Sequence, residues 1–362
     1  MEYFFPISLA ILIAKFIILL LFNSLELVLM NAWEAAKNAL ECVFEAKEGE
    51  GIVIFCDDVK MNVGEAFASG ALRLGLQTRL TPLKTEVNVF RNDIPKQITE
   101  ILTKQTPHIY INLLRGAREE TPFRIKLIQM ETKERKARLG HCPGVTLNML
   151  TEGALALTTE EHKRMQGFAK TLIQKLSRAV RVEITNPAGT DISLSVVDRP
   201  FFTDTIIDWE TMKWMNLPSG EVIVAPVENS LEGELICDLA IGGIGPITTP
   251  VEVTVERGKV CNVSSTNAEI LRRVGDSLNT DEWSSIVGEF AFGINPKARF
   301  VEEFLEAEKM LGTVHIAFGN NSDMPGGKNQ SKNHMDFLVS KPTVKIFNKD
   351  GSSMNALVDG VF

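Results

Sequence analysis

A chain of 362 residues is long enough for two domains with separate cores. Its content of 44% hydrophobic and 23% charged residues is ordinary for a soluble globular protein. A net charge of −8 argues against a nucleic-acid partner, because phosphate binding needs a basic footprint.

Residues 3–22 form an apolar run interrupted by Pro6 and Lys15, long enough for a helix to cross a bilayer. Three readings fit it: a membrane anchor, a signal peptide, or a mis-assigned start, with translation beginning at Met30. The signal peptide is the weaker, because Glu2 stands where basic residues belong and no small-x-small cleavage site is clear. Lys15 lies mid-span, where a charge costs about 2.5–3.5 kcal/mol, and the next basic residue is Lys37, so no basic flank sets an orientation. A cytoplasmic protein is the expectation that follows from the Met30 start, and a membrane-anchored one from a real anchor. From Asn31 the pattern turns amphipathic, with Trp33, Ala36, Leu40, Val43 and Phe44 at helical spacing.

GEGIVIFCDD is a β-rich run ending in acids. Helices over 63–74 and 94–103 then alternate with strands over 77–83 and 108–114. This alternation predicts βαβ units around a parallel sheet. The first strand is not followed by G-x-G-x-x-G, so a dinucleotide site would lack its phosphate cradle. Arg124, Lys126, Lys133, Arg135, Lys136 and Arg138 read as the solvated face of a helix, and HCPG at 141–144 as a loop. A long helix is expected over 159–176, with a capping signal in TTEEH.

At 178/179 the character changes, which places the boundary between an α/β domain (30–178) and an α+β, strand-rich metal-site domain (179–362), with residues 1–29 outside both. VRVEITNPAGTDISLSVV reads as a hairpin around NPAGTD. Further strands are expected over 221–227, 234–239, 249–256 and 259–264, helices over 267–275 and 298–310, and a closing hairpin turning at 348–351. Five scattered cysteines without a C-x-x-C favour a reducing compartment and free thiols.

The chemistry-bearing stretch is 308–336, which holds His315, His334 and Asp336. Upstream, Glu221 and Glu289 sit in glycine-flanked settings, NLPSGEV and VGEFAFGINP. Imidazole and carboxylate are the ligands a divalent metal takes when no thiolate is offered. On a strand, His334 and Asp336 would point to one face. So many carboxylates cannot share an apolar cavity uncompensated, so the group must bind cations or sit in water. Two divalent ions would neutralise it.

The ordered blocks NLPSGEV (216–222) with APVE following, GEFAFGINP (288–296), EKMLGTVHIAFG (308–319) and GGKNQSKNHMD (326–336) resemble the thermophilic metallo-aminopeptidases of the aminopeptidase T, aminopeptidase S and PepS type. The resemblance is strongest from about residue 182 onward. It implies an aminopeptidase acting on peptide substrates through a water activated by two divalent ions (zinc, cobalt or manganese). It also implies a homodimer and relatives that start near Met30. Glu221, Glu289, His315, His334 and Asp336 fall on the family's metal-ligand positions, with Glu308 as general base or a further ligand. Lys328 and Asn329 are candidates for orienting the substrate or a ligand, and Gly319, Gly326 and Gly327 for letting the backbone approach the site. The chain departs from the family at Ser322, where a tyrosine thought to assist the transition state usually stands. That departure makes an altered-substrate or non-catalytic relative one alternative. A ring-cleaving dioxygenase with one iron on two His and one Asp is another, since those enzymes resemble the same fold. They carry a histidine where this chain has the acid of GEFAFG, and Glu289 and Glu221 therefore favour two metals.

Overall fold

The computed structural model describes residues 29–104, 106–133, 137–208 and 214–362. The apolar segment 3–22, with all three of its readings, lies outside them, as do Arg135 and Lys136.

In chain order, α1 (Ala32–Cys42), β1 (Gly51–Asp57), α2 (Met61–Arg73), β2 (Gln77–Leu83), α3 (Lys96–Lys104), β3 (Ile109–Leu113), α4 (Thr121–Thr132), β4 (Arg138–His141) and α5 (Leu147–Thr151) build the first half. The strands form a parallel sheet in the order β2-β1-β3-β4-β8, and β8 (Trp214–Asn216) comes from beyond residue 178. Both faces are covered, which is why these strands read as unbroken apolar runs. Ile52, Ile54 and Ile111 pack against α1 and α2, while Val53, Phe55 and Tyr110 pack against α3 and α4. The expected βαβ architecture is present. Helix α6 (Thr159–Leu176) then runs along the strand-rich half; Thr158 and Glu161 close a reciprocal capping box at its start.

The second half is a sandwich of two seven-stranded sheets. One takes the order β14-β13-β10-β6-β5-β18-β19. It uses β5 (Ala179–Thr185), β6 (Asp191–Ser195), β10 (Glu232–Cys237), β13 (Val251–Glu256), β14 (Lys259–Ser264), β18 (Thr343–Asn348) and β19 (Ser353–Leu357). The other takes the order β12-β11-β17-β16-β15-β9-β7. Its strands are β7 (Phe202–Thr203), β9 (Glu221–Val224), β11 (Ala240–Ile241), β12 (Gly245–Pro246), β15 (Val287–Gly293), β16 (Val314–Gly319) and β17 (His334–Val339). Val182, Ile184 and Val253 from the first sheet meet Phe290, Ile316 and Phe337 from the second in one core, closed by α6 and by α7 (Ala268–Leu278).

Three expectations need correction. The helix over 298–310 is only α8 (Phe304–Ala307); Arg299 folds back so that its backbone N–H (3.2 Å) and Nε (3.0 Å) both donate to Glu306, and this pairing replaces the missing helical turns. His141 of HCPG closes β4, a strand too short and too polar to announce itself by alternation. The basic stretch is not one solvated helix face: Arg124 donates to Ala117 O (2.6 Å), and Arg138, on β4, donates to Phe44 O (2.7 Å) and pairs with Glu50 (2.5 Å).

Candidate metal centre

The second sheet of the sandwich has two faces of opposite chemistry. Val222, Phe290, Phe292, Ile316 and Phe337 point into the shared core. By the two-residue period of a strand, Glu221, Glu289, His315, His334 and Asp336 point out of it. Register brings them together: Glu289 lies opposite Ala317, which lies opposite Asp336, and His315 lies opposite Ala291. Glu221 on β9 faces Gly293 of β15. The small residues Ala291, Ala317 and Gly293 thus occupy the places between the polar side chains. Helix α8 covers this face, with Phe304 and Ala307 packed against Leu338, and hands the chain to Glu308 and Lys309.

Nε2 of His315 lies 3.3 Å from Glu289 Oε1, 3.5 Å from Glu221 Oε1 and 3.9 Å from Asp336 Oδ1. Nε2 of His334 lies 3.1 Å from Glu289 Oε2 and 3.4 Å from Asp336 Oδ1. Donor atoms held about 2.1 Å from one ion in a tetrahedron stand about 3.4 Å apart, so these spacings suit a shared cation. Three overlapping sets of donor atoms lie within 4.8 Å of one another: Glu221, Glu289 and His315; Glu289, His334 and Asp336; Glu308, His315 and Asp336. Glu289 belongs to the first two, with one oxygen towards each imidazole.

Two details bear on whether a metal fits. His334 donates from Nδ1 to Asn320 O (2.8 Å), which leaves Nε2 without a proton and free for an ion when the ring is neutral. Glu221 Oε1 is buried without a hydrogen-bond partner among the described residues, a costly state for an anionic oxygen unless a cation faces it. An oxygen and nitrogen donor set without thiolate suits zinc, cobalt or manganese.

The electrostatics follow from crowding acids in a buried place. Burial, then repulsion from Glu308, raises the Glu221 carboxyl well above its ordinary value, against the pull of Lys309 and His315. Burial also pushes Glu308 up to about 7. Burial would raise Glu289 as well, but hydrogen bonds from His315 and His334 hold it well below the usual carboxylate range. Burial disfavours charge on His315, yet Glu221 and Glu289 raise it to about 9; His334 is raised well above its ordinary value, chiefly by Asp336.

Two participants had little signal in the sequence. Lys309 is buried, paired with Glu221, with Glu308 at 2.8 Å and with Asp204 at 3.5 Å. Asp204 accepts from the backbone N–H groups of Gly220 (2.9 Å) and Glu221 (2.7 Å). Lys309 stands inside a quoted block, but a lysine beside an acid reads as surface. Asp204, in FFTDTIID, lies in none of the quoted blocks.

The remaining candidates do not reach the donor cluster through any hydrogen bond or ion pair among the described residues. Asn329 is buried and ties the loop before β17 to Val287 O (2.9 Å) and Gly319 O (3.1 Å). Lys328 is exposed and donates only its backbone N–H, to Glu228. Gly327 packs so tightly on Asn321 O that a Cβ would collide with it, while Gly326 turns beside Arg199. Ser322 is exposed, its hydroxyl on Asn320 Oδ1 (2.9 Å). His141 is buried neutral, held down to about 3 by desolvation, and Cys142 lies in the core beneath the parallel sheet.

The sequence profile of the thermophilic metalloprotease (M29) family matches residues 154–362, more than half of the chain, a range that holds the whole donor cluster together with Asp204 and Lys309. The chain belongs to that family. The family is described as one of metalloproteases. A curated relative, the 2,5-dihydroxypyridine 5,6-dioxygenase of Pseudomonas putida, is 26% identical over 201 residues, covering 51% of this chain and 55% of the relative. The chain therefore matches about half the length of that relative. Among solved structures, 2,5-dihydroxypyridine dioxygenase from Pseudomonas putida superposes with a TM-score of 0.66 at 18% identity, over 91% of this chain and 96% of that one. AmpT from Thermus thermophilus superposes with a TM-score of 0.62 at 16% identity, over 91% and 98%. At such identities the two structures speak for the fold. Among the described residues, no helix is long and apolar enough to cross a membrane.

Proposed function

We propose that this M29 protein is a metal-dependent aminopeptidase that releases N-terminal residues from peptides. Glu221, Glu289, His315, His334 and Asp336 would hold two divalent ions, of zinc, cobalt or manganese. The observation that carries the reading is the pair of donor sets sharing Glu289 at ligand-like spacings. Charge supports the number two: five carboxylates including Asp204, against the one ammonium of Lys309, leave four negative charges when both imidazoles are neutral. Two bound ions would supply Lewis acidity and a water of lowered pKa.

The chain's own residues do the rest. Glu308, beside His315 and Asp336, takes the proton of the attacking water and passes it to the departing amine. Lys309 keeps that carboxylate in place at 2.8 Å. The hydroxyl of Ser322, bonded to Asn320, is too short to replace a phenol, so turnover is expected to be slow, or the substrate to differ from the family's usual peptides. Partnering as a homodimer belongs to the same reading; light scattering at the mass of one chain would remove it.

The test is metal analysis of the purified protein together with turnover of amino-acid anilides and dipeptides. About two zinc, cobalt or manganese ions per chain, with turnover abolished in Glu308→Gln but metal retained, is the expected result. Protein that binds no divalent ion would end the reading. A second reading, a mononuclear ring-cleaving dioxygenase, draws on the dioxygenase relative and on the two-histidine, one-carboxylate set His315, His334 and Asp336. One iron per chain and oxygen uptake with a dihydroxypyridine would select it; Glu221 and Glu289 are surplus to such a site.

A further inference from the structure

Lys309 is the one ammonium in contact with the donor cluster among the described residues, and it is buried as deeply as the ligands themselves. Its contacts are specific. Nζ pairs with Oε2 of Glu221, while Oε1 of the same carboxylate is the oxygen left without a partner and turned towards His315 Nε2 at 3.5 Å. Asp204 stands behind the lysine at 3.5 Å. Its other oxygen accepts from the backbone N–H groups of Gly220 and Glu221, so one side chain ties both the start of β9 and the ammonium that restrains the β9 glutamate.

A carboxylate whose second oxygen is taken by a fixed ammonium cannot chelate an ion through both oxygens. We propose that Lys309, anchored by Asp204, is a positioning residue that makes Glu221 a one-oxygen ligand and so keeps a coordination position open on the ion it holds. The inference rests on the metal-centre reading above. Its physical content is separate: an open position is what distinguishes a catalytic ion from a structural one, and a chelating Glu221 would fill it. Charge alone would not require this geometry, since an ammonium anywhere nearby would offset the same excess of carboxylates.

Cobalt(II) bound to the otherwise metal-free protein gives the readout, because its visible absorption weakens as coordination number rises. Lys309→Met removes the ammonium while keeping most of the side chain's volume. It is expected to keep bound cobalt at the wild-type stoichiometry while its visible absorption falls by about half. Lys309→Arg, which restores a cation to Oε2, is expected to recover most of the signal. Should Lys309→Met fail to fold, Asp204→Asn decides, since it keeps the lysine but loosens its anchor: a weaker spectrum supports the inference and an unchanged one overturns it. Wild-type protein that takes up no cobalt would defeat the metal reading itself. Wild-type protein that takes it up, with a spectrum indifferent to Lys309→Met, would defeat only the role of Lys309. A spectrum lost in Lys309→Met and not recovered in Lys309→Arg would mark the lysine as a packing residue and overturn the inference too.

Discussion

At the scale of residues, the site depends as much on small side chains as on charged ones. Ala317 stands between Glu289 and Asp336 in the sheet register, and Ala291 stands beside His315. Both are fully buried, so a larger side chain at either place would enter the space between the acids. Ala317→Leu is therefore expected to displace bound metal while the circular dichroism of the fold persists, at a stability cost of about 1–3 kcal/mol for the added volume. Metal content near that of the wild type would show that the ion sits elsewhere. From the sequence, the acids and imidazoles were legible because their types are unusual beside apolar strand residues; the alanines were not, because an alanine in a strand carries no signal of what it leaves empty.

At the scale of elements, placement comes down to strand ends and the loops that feed them. Gly319 ends β16 directly opposite His334, the first residue of β17. Its φ of +116° is closed to side chains in practice, and an added Cβ would collide with Asn333 O. Gly319→Ala is expected to cost about 2–3 kcal/mol and to move His334, which thermal unfolding and metal affinity would register together. A normal unfolding temperature with normal metal affinity would contradict this account. Asn321, just after β16, and Asn329 of GGKNQSKN serve the same loop: their side-chain amides donate to the backbone carbonyls of Gly288, Val287 and Gly319 at the ends of β15 and β16. Asn329, a candidate for orienting the substrate or a ligand because it shares a block with the ligand-type residues, is hydrogen-bonded to the backbone of Val287 and Gly319, contacts that no local pattern records.

At the scale of the whole molecule, stability has its own titration, away from the metal centre. Glu131 of α4 is buried against the parallel sheet, hydrogen-bonded by Asn112 (2.7 Å), and burial pushes its carboxyl up to about 8 from an ordinary 4.5. Between those two pH values the unfolded chain releases a proton that the folded chain keeps. Stability therefore falls as pH rises from 4.5 to about 8 and levels off above. Glu131→Gln keeps the neutral form's shape and removes the titration. Its unfolding temperature is expected to match the wild type near pH 4.5 and to exceed it by roughly 2–4 °C at pH 8. Equal temperatures at both pH values would mean that the carboxyl is ionised in the fold.

The sequence by itself determined the layout: a βαβ stretch and then a strand-rich stretch, with the ligand-type residues in four ordered blocks. Periodicity and residue chemistry are local properties, readable over a few positions. Only the tertiary structure decided that four strands in one register set five ligand-type side chains on one face, that Asp204 and Lys309 join them, and that β8 crosses back to complete the parallel sheet. Those outcomes depend on pairing between residues up to a hundred positions or more apart, which no local pattern records.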